Sequence, residues 1–311
     1  MQYKKIFVAG GTGFLGSRVT KRLDELGWNY ITTSKSKGVD FRNLKELDKY
    51  FAKEKPDVVI NCAAYVGGIQ FGLKHEGEIF FNNLLMSTNL MECARIRGVR
   101  KIINPLSNCS YPNVTNKTFK EEEWWDGPLH DSVMVYGFAK KATWMQAYAY
   151  SRQYGMNFTN FLVPNMYGPG DHFEEERSHA LGALIMKIVK AKQKGEPQVT
   201  VWGSGKPVRE WLYIDDCVEA FMRALEKDTP VEPINLGQGT GISIGDLAEK
   251  IRKKAGYQGK LVLDKTKPDG APYKVMNVDK LRKIFGWTPS TSLDEGIEKT
   301  IEWYCNNKKR A

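Results

Sequence analysis

One stretch constrains the fold of this chain more than any other: "KKIFVAGGTGFLGSRVTKRLDELGW", residues 4–28. An apolar run meets a cluster of glycines, and an amphipathic helical pattern follows and stops near Gly27. A glycine turn set between a strand and a helix is the context that gives such a pattern meaning as a dinucleotide site. Gly10 and Gly13 would let the backbone approach a pyrophosphate, and Gly16 would let helix and strand pack closely. Phe14 and Leu15 open the helix, so their amides and the positive end of the helix dipole face the phosphates. An ordinary glycine turn in an α/β protein has the same letters, so the rest of the chain must decide.

The rhythm that follows supports the nucleotide reading. "NYITTS" is β-rich, "NLKELDKYFAKEKP" has helical spacing up to Pro56, and "DVVINCAA" is the fully apolar strand expected in a sheet buried on both faces. A helical stretch over about 78–97, the strand "KIINPLS", a helix around Tyr136 and the strand "FTNFLVP" continue the alternation. That order predicts an α/β fold with a doubly wound parallel sheet of the Rossmann type. A chain of 311 residues has room for one such domain and a smaller one. After Pro164 loops rich in Gly, Pro and charge separate shorter elements. The expected division is a cofactor domain over 1–165, with segments returning near 210–240 ("PINLGQG"), and a smaller α/β substrate domain over 166–311.

Composition narrows the function classes. No apolar run approaches the roughly 18 residues that cross a membrane, and the start "MQYKKIFVAGG" is too short in its apolar part for a leader, so it reads as a buried strand. Cys62, Cys93, Cys109, Cys217 and Cys305 are odd in number and scattered without a CxxC pair. That argues against a disulfide framework or a zinc knuckle, and for a reducing cytoplasm. A net charge of +10 suits anionic partners. The basic residues are spread along the chain, which fits a phosphorylated small molecule better than nucleic acid or a membrane.

The end of the second strand chooses between the two dinucleotides. An acid there would bind the ribose 2′-hydroxyl of NAD. This chain has "TTSKSKG", with Ser34, Lys35, Ser36 and Lys37 ahead of the first acid, Asp40. Hydroxyls and ammonium groups suit a 2′-phosphate, so the cofactor is expected to be NADP(H), with Asp40 facing the adenine. A solvated basic loop is the competing account. Ala63 and Ala64 in "NCAAYVGG" supply small residues where the chain passes the cofactor, Pro164 and Asn165 end the fifth strand beside it, and Asn83 is expected to hold a water or a lysine.

The catalytic candidates cluster after the fourth strand. Ser107 ends "KIINPLS", where a doubly wound sheet places its chemistry. In "VMVYGFAKKATW" Tyr136 and Lys140 lie one helical turn apart on one face. Ser107 would hydrogen-bond a carbonyl and Tyr136 would exchange the alcohol proton during hydride transfer. Lys140 would lower the phenol from its usual value of about 10 and bind the nicotinamide ribose. Tyr304 and Lys308 repeat the spacing without a glycine turn or a serine strand before them, and are read as a chance match.

At this point the residues resemble a family. "GGTGFLG" with "YGFAK" is similar to the extended short-chain dehydrogenase/reductases that act on nucleotide sugars. "SNCSYP", "PNMYGPGDHF", "SHALGALIMKIVKA", "VWGSGKPVREWLYIDD" and "KPDGAPYKVMNVDKL", in order along nearly the whole chain, resemble the GDP-L-fucose synthase family. The resemblance implies a homodimeric, NADPH-dependent enzyme that takes a GDP-linked 4-keto-6-deoxy-mannose, inverts C3 and C5 and reduces C4. It implies that Cys109 is the base of the inversions and His179 the acid. A thiol becomes useful as a base beside a cation such as Lys140, and an imidazole titrates near neutrality. A free cysteine is otherwise a small buried hydrophobe.

For substrate, the resemblance points to Lys187, Trp202 and Arg209 as holding the diphosphate and base, and to Asn165 as touching substrate or nicotinamide. Arg209 is suited to bidentate phosphate contact. Trp202 stacks on a guanine or fills the domain junction, and Lys187 binds phosphate or is surface charge. Asp215 and Asp216 read as anchors of a helix start. The chain also departs from the family pattern. Tyr273 replaces an arginine and Asn277 an aspartate where nucleotide or sugar is held, Asn108 replaces a serine, and Met134 and Val135 replace polar residues. A 4-keto-heptose substrate, or a single half-reaction, therefore remains an alternative.

Overall fold

The computed structural model describes residues 3–114, 117–174 and 177–307. Six strands form the main sheet: β1 (Ile6–Ala9), β2 (Tyr30–Thr33), β3 (Val58–Asn61), β4 (Lys101–Ser107), β5 (Asn157–Val163) and, from late in the chain, β10 (Ile234–Asn235). All pair in parallel in the order β10-β5-β4-β3-β1-β2. β1 and β3 are wholly buried, which explains their mainly apolar letters; Asn61, at the end of β3, donates to the Asn104 side chain at 3.3 Å. The order reverses between β1 and β3, so the carboxyl ends of those two strands open the crevice in which such sheets bind ligands.

Helices cover both faces. α1 (Phe14–Glu25) packs on one face with α7 (Ile214–Glu226) and α9 (Asp279–Phe285), sharing a core of Val8, Val19, Leu23, Phe161, Phe221 and Leu281. On the other face α2 (Leu44–Glu54), α4 (Glu76–Ile96) and α5 (Met134–Tyr154) close over Phe7, Val59, Ile102 and Phe158. Asn43 caps α2 by accepting the Lys45 and Glu46 amides, and Lys55 ends it in the left-handed region, φ 50°. A six-residue helix that the spacing does not foreshadow, α3 (Ile69–Lys74), interrupts the run from β3 to α4.

The remaining strands form smaller sheets. β6 (Asn165–Tyr167) pairs with β9 (Trp211–Tyr213), β7 (Gln198–Trp202) with β12 (Lys260–Asp264), and β8 (Val208–Arg209) lies between β11 (Ile242–Ser243) and β13 (Tyr273–Lys274). α6 (Ala180–Lys194), α8 (Ile244–Lys254) and α10 (Leu293–Asn306) enclose a second core of Leu181, Ile185, Ile188, Leu247, Ile251 and Ile297. Ser292 caps α10, accepting the Glu295 amide at 3.2 Å. Asp215 and Asp216 do more than start α7. Asp215 takes a bidentate pair from Arg18 on α1, and Asp216 accepts the backbone of Ser290 and Thr291 ahead of α10. Lys308 lies outside the described residues.

Candidate active site

The glycine turn fits a dinucleotide through close approach. Gly10 has φ +77°, and a Cβ there would stand 3.0 Å from the backbone of Ala63 at the end of β3. A Cβ on Gly16 would fall 2.2 Å from Gly10 O, so only glycine lets α1 sit this tightly on the turn. Gly13 starts α1 without any side-chain cap and with no acid in the first turn, which leaves the helix dipole for an anion. Leu15 is buried in the core, so what it and Phe14 offer a phosphate is backbone.

At the end of β2 the hydroxyls of Thr12, Ser34 and Ser36 form a cluster, with Thr12–Ser34 at 3.0 Å and Ser34–Ser36 at 2.9 Å. Lys35 and Lys37 stand beside it on a single exposed turn. Thr12 belongs to this group and was not singled out by sequence, because its partners lie a strand away. Asp40 is gripped by Arg42, whose hydrogen bond holds the carboxyl down at about 2. Arg42 in turn bonds Asn82 on α4 at 2.9 Å. Asn83 does not hold a lysine. Its amide accepts the Tyr65 N–H at 3.0 Å and donates to Tyr65 O at 2.7 Å, fixing the loop after β3.

The candidate catalytic side chains Ser107, Cys109, Tyr136 and Lys140 gather near the end of β4. The Ser107 hydroxyl accepts the Cys109 amide at 3.1 Å, at the start of a tight turn over Asn108–Ser110. Behind it Ser110 accepts the Trp124 indole N–H at 2.7 Å, and Trp124 O takes the Lys141 ammonium at 2.5 Å. Asn108 buries an amide nitrogen with no hydrogen-bond partner among the described residues. α5 docks on the turn through Gly137, where a Cβ would lie 2.8 Å from Cys109 O. This glycine lets the turn of α5 that carries Tyr136 come close to the Cys109 backbone. The Lys140 ammonium bonds Pro105 O at 3.0 Å and stands 5.5 Å from the Tyr136 ring centroid.

The electrostatics correct two expectations. Burial first, then the neighbouring Cys109, raises Tyr136 above its usual value; Lys140 does not lower it. The phenol therefore stays protonated at neutral pH, the state a proton donor to a ketone needs. Burial pulls Lys140 down to about 8, opposed by Cys62 and not by Cys109. The cations that feel Cys109 are Arg209 on β8 and Lys274 on β13. Lys274 is a buried lysine that the sequence reading passed over. It donates to Tyr111 O at 2.8 Å and Pro112 O at 3.1 Å, and burial lowers it to about 8.

The other sequence candidates fall into separate groups. His179 starts α6, and burial, then His172, keeps it below its usual value, so it is mostly neutral at pH 7 and a stronger acid once protonated. Lys187 and Trp202 meet, with the ammonium 4.1 Å from the indole centroid. Asn165 donates to Glu210 O at 3.4 Å, behind buried Pro164. Ala64 is exposed beside Ala63, and Tyr273 precedes Lys274 on β13. Asn277 serves a helix start instead. Its side chain accepts the Asp279 N–H at 3.0 Å and donates to the Asp279 carboxylate, bracing α9. A local cap satisfies both ends of that amide.

His130 was also missed. It lies close enough to Arg209 and Lys274 to feel them, and its Nδ1 accepts the Ser132 amide at 3.2 Å.

The model of the NAD dependent epimerase/dehydratase family matches residues 6–237. A GDP-L-fucose synthase of Sinorhizobium fredii is 37% identical over 304 residues, covering 98% of this chain and 96% of the relative. A GDP-L-fucose synthetase of Naegleria fowleri, solved bound to NADP, superposes with a TM-score of 0.90 at 30% identity, over 100% of this chain and 95% of that one. A GDP-6-OMe-4-keto-L-xylo-heptose reductase from C. jejuni superposes with a TM-score of 0.92 at 25% identity, over 98% and 99%. With the glycine turn, the Ser107–Tyr136–Lys140 cluster and these matches together, this chain belongs to the NAD dependent epimerase/dehydratase family and, within it, to the GDP-L-fucose synthases.

Proposed function

We propose that this chain is an NADPH-dependent epimerase–reductase of a GDP-linked 4-keto-6-deoxy sugar, which inverts C3 and C5 and then reduces C4. The observation that carries the reading is the docking of α5 on the Cys109 turn, where a Cβ on Gly137, next to Tyr136, would lie 2.8 Å from Cys109 O, with Ser107 bonded to the same turn and Arg209 and Lys274 close by. A 4-keto group acidifies both neighbouring carbons, so a base and an acid on opposite faces can invert each. Cys109 takes the C–H proton, with Arg209 and Lys274 as its neighbouring cations. His179 delivers a proton from the other face. Ser107 and the Tyr136 phenol hold the C4 oxygen, and Tyr136 gives that oxygen its proton as the carbon is reduced.

NADPH supplies the hydride. The Gly10–Gly16 turn and the start of α1 hold its pyrophosphate, and the Thr12, Ser34 and Ser36 hydroxyls with Lys35 and Lys37 hold its 2′-phosphate. Residues 1–165 serve mainly the cofactor and 166–311 mainly the sugar nucleotide. The scattered free cysteines fit a reducing cytoplasm. α4 and α5 expose Phe81 and Phe138, 58% and 55% accessible, beside a shallow apolar cleft lined by Phe80, Met134 and Val135. That face supports a homodimer formed through these two helices.

Incubation with GDP-4-keto-6-deoxy-mannose, with and without NADPH, tests the reading by NMR of the product. Conversion to the 6-deoxy-galacto sugar supports it. Reduction without inversion would favour a second reading, a single-activity reductase of a related sugar such as a heptose. Tyr273 at the family's arginine position and the likeness to the heptose reductase favour that alternative.

A further inference from the structure

The loop after β3 runs from the cofactor turn to the start of α6 through a short series of contacts. Ala63 backs onto Gly10, and Asn83 fixes both polar groups of the Tyr65 backbone. Gly68 then donates its N–H to Arg177 O at 3.1 Å. The Arg177 guanidinium stands 5.5 Å from the centroid of Phe71 on α3, a second tie between the two segments. A Cβ on Gly68 would lie 2.5 Å from Ser178 O, a backbone atom that no rotamer can move away. A Cβ on Gly182 of α6 would lie 2.7 Å from the Ser178 hydroxyl. Ser178 thus has a glycine against its carbonyl and another against its side chain, and the next residue is His179. The Ser178 hydroxyl donates to His179 O at 3.0 Å, and that carbonyl also takes the first helical bond of α6, from Ala183.

We propose that Gly68 is a positioning residue for His179: by letting the loop after β3 touch the Arg177–Ser178 backbone, it sets where the imidazole stands relative to the sugar. This rests on the reading of His179 as the acid of the inversions. A methyl group at 68 pushes the 177–178 backbone away, and a misplacement of about 1 Å at a reacting group can cost up to about 100-fold. The chemistry makes the effect selective. Cys109 removes the C–H proton and the electron pair moves into an enolate on the C4 oxygen. Return of a proton from Cys109 regenerates the starting sugar, labelled by solvent, whereas a proton from His179 on the opposite face gives the inverted sugar. A displaced His179 therefore lowers inversion while exchange with retention continues.

The test loads the full chain with NADP⁺, adds GDP-4-keto-6-deoxy-mannose in deuterated water, and reads inverted product and deuterated starting sugar by proton NMR. Gly68→Ala is expected to lower the ratio of inversion to retained exchange roughly ten-fold, towards the ratio of His179→Gln. Gly77→Ala, whose Cβ meets nothing within 4 Å, is expected to keep the wild-type ratio. Arg177→Ala removes the second tie without crowding the backbone, and is expected to move the ratio the same way by about two- to three-fold. Inversion and exchange falling equally in Gly68→Ala, or ratios unchanged in both variants, would overturn the role of Gly68. A wild type that exchanges no deuterium overturns the reading of the site itself, and does so before any variant is made.

Discussion

Tyr136 and Lys140 show how much a pair of letters conveys and what it leaves out. Their spacing places them on one helical face, but burial sets their charge states. The raised phenol keeps its proton, the state that the proposed donation to a sugar ketone needs. Tyr136→Phe is expected to abolish NADPH oxidation, with a loss of about 10³-fold or more, while C3 and C5 protons still exchange with deuterated water. Oxidation at the wild-type rate in that variant would refute the assignment. Lys140 carries its charge only below its lowered value of about 8. The sign follows directly: as pH rises through about 8 the ammonium becomes neutral and hydride transfer should slow. A pH profile of single-turnover reduction checks this, and the basic limb should vanish in Lys140→Met. Lys274 was invisible in the sequence for a simple reason. Among 46 basic residues, nothing local marks the one whose ammonium ends on two buried carbonyls.

The elements differ in how openly they declared themselves. β1 and β3 are legible because a strand buried on both faces leaves a short run dominated by apolar letters. α1 is legible because the glycine turn and Gly27 bracket a clear amphipathic period. α3 is not, since it has six residues and a glycine inside them. β8, β11 and β13 are two residues long, too short for any alternation to register. The turn after β2 is where sequence and structure meet most usefully. Its basic letters stand beside the Thr12–Ser34–Ser36 hydroxyl cluster, which supports the proposed 2′-phosphate contact. Replacing Lys35 and Lys37 together by Glu should weaken NADPH binding by roughly ten- to a hundred-fold and leave NADH nearly unchanged. Titration of both cofactors by fluorescence measures the difference, and an unaltered preference would remove the 2′-phosphate assignment.

For the whole molecule, the decisive contacts join residues far apart in the chain. Glu210 is wholly buried between Arg209 and Trp211, and burial pushes it up to about 7 against three backbone donors. Its carboxyl takes the Gly239 N–H at 2.7 Å and the Met276 N–H at 2.9 Å. It ties the segment after β10 to the segment after β13, and so sets Arg209 and Lys274 beside the Cys109 turn. On the exposed face of α5, Phe138→Lys is expected to split the proposed dimer, read as a halved mass by light scattering at micromolar protein; an unchanged mass would remove that interface. The sequence by itself determined the parallel sheet and its glycine turn, and it marked Ser107, Tyr136 and Lys140 as the candidates for the proposed site. These follow from short-range rules: side-chain period, glycine placement and the spacing of one helical turn. Only the tertiary structure decided which cations neighbour Cys109, that Asn277 braces a helix, and that Gly68 abuts the residue before His179. Those facts depend on desolvation and on contacts between distant segments, and no local pattern of letters encodes either.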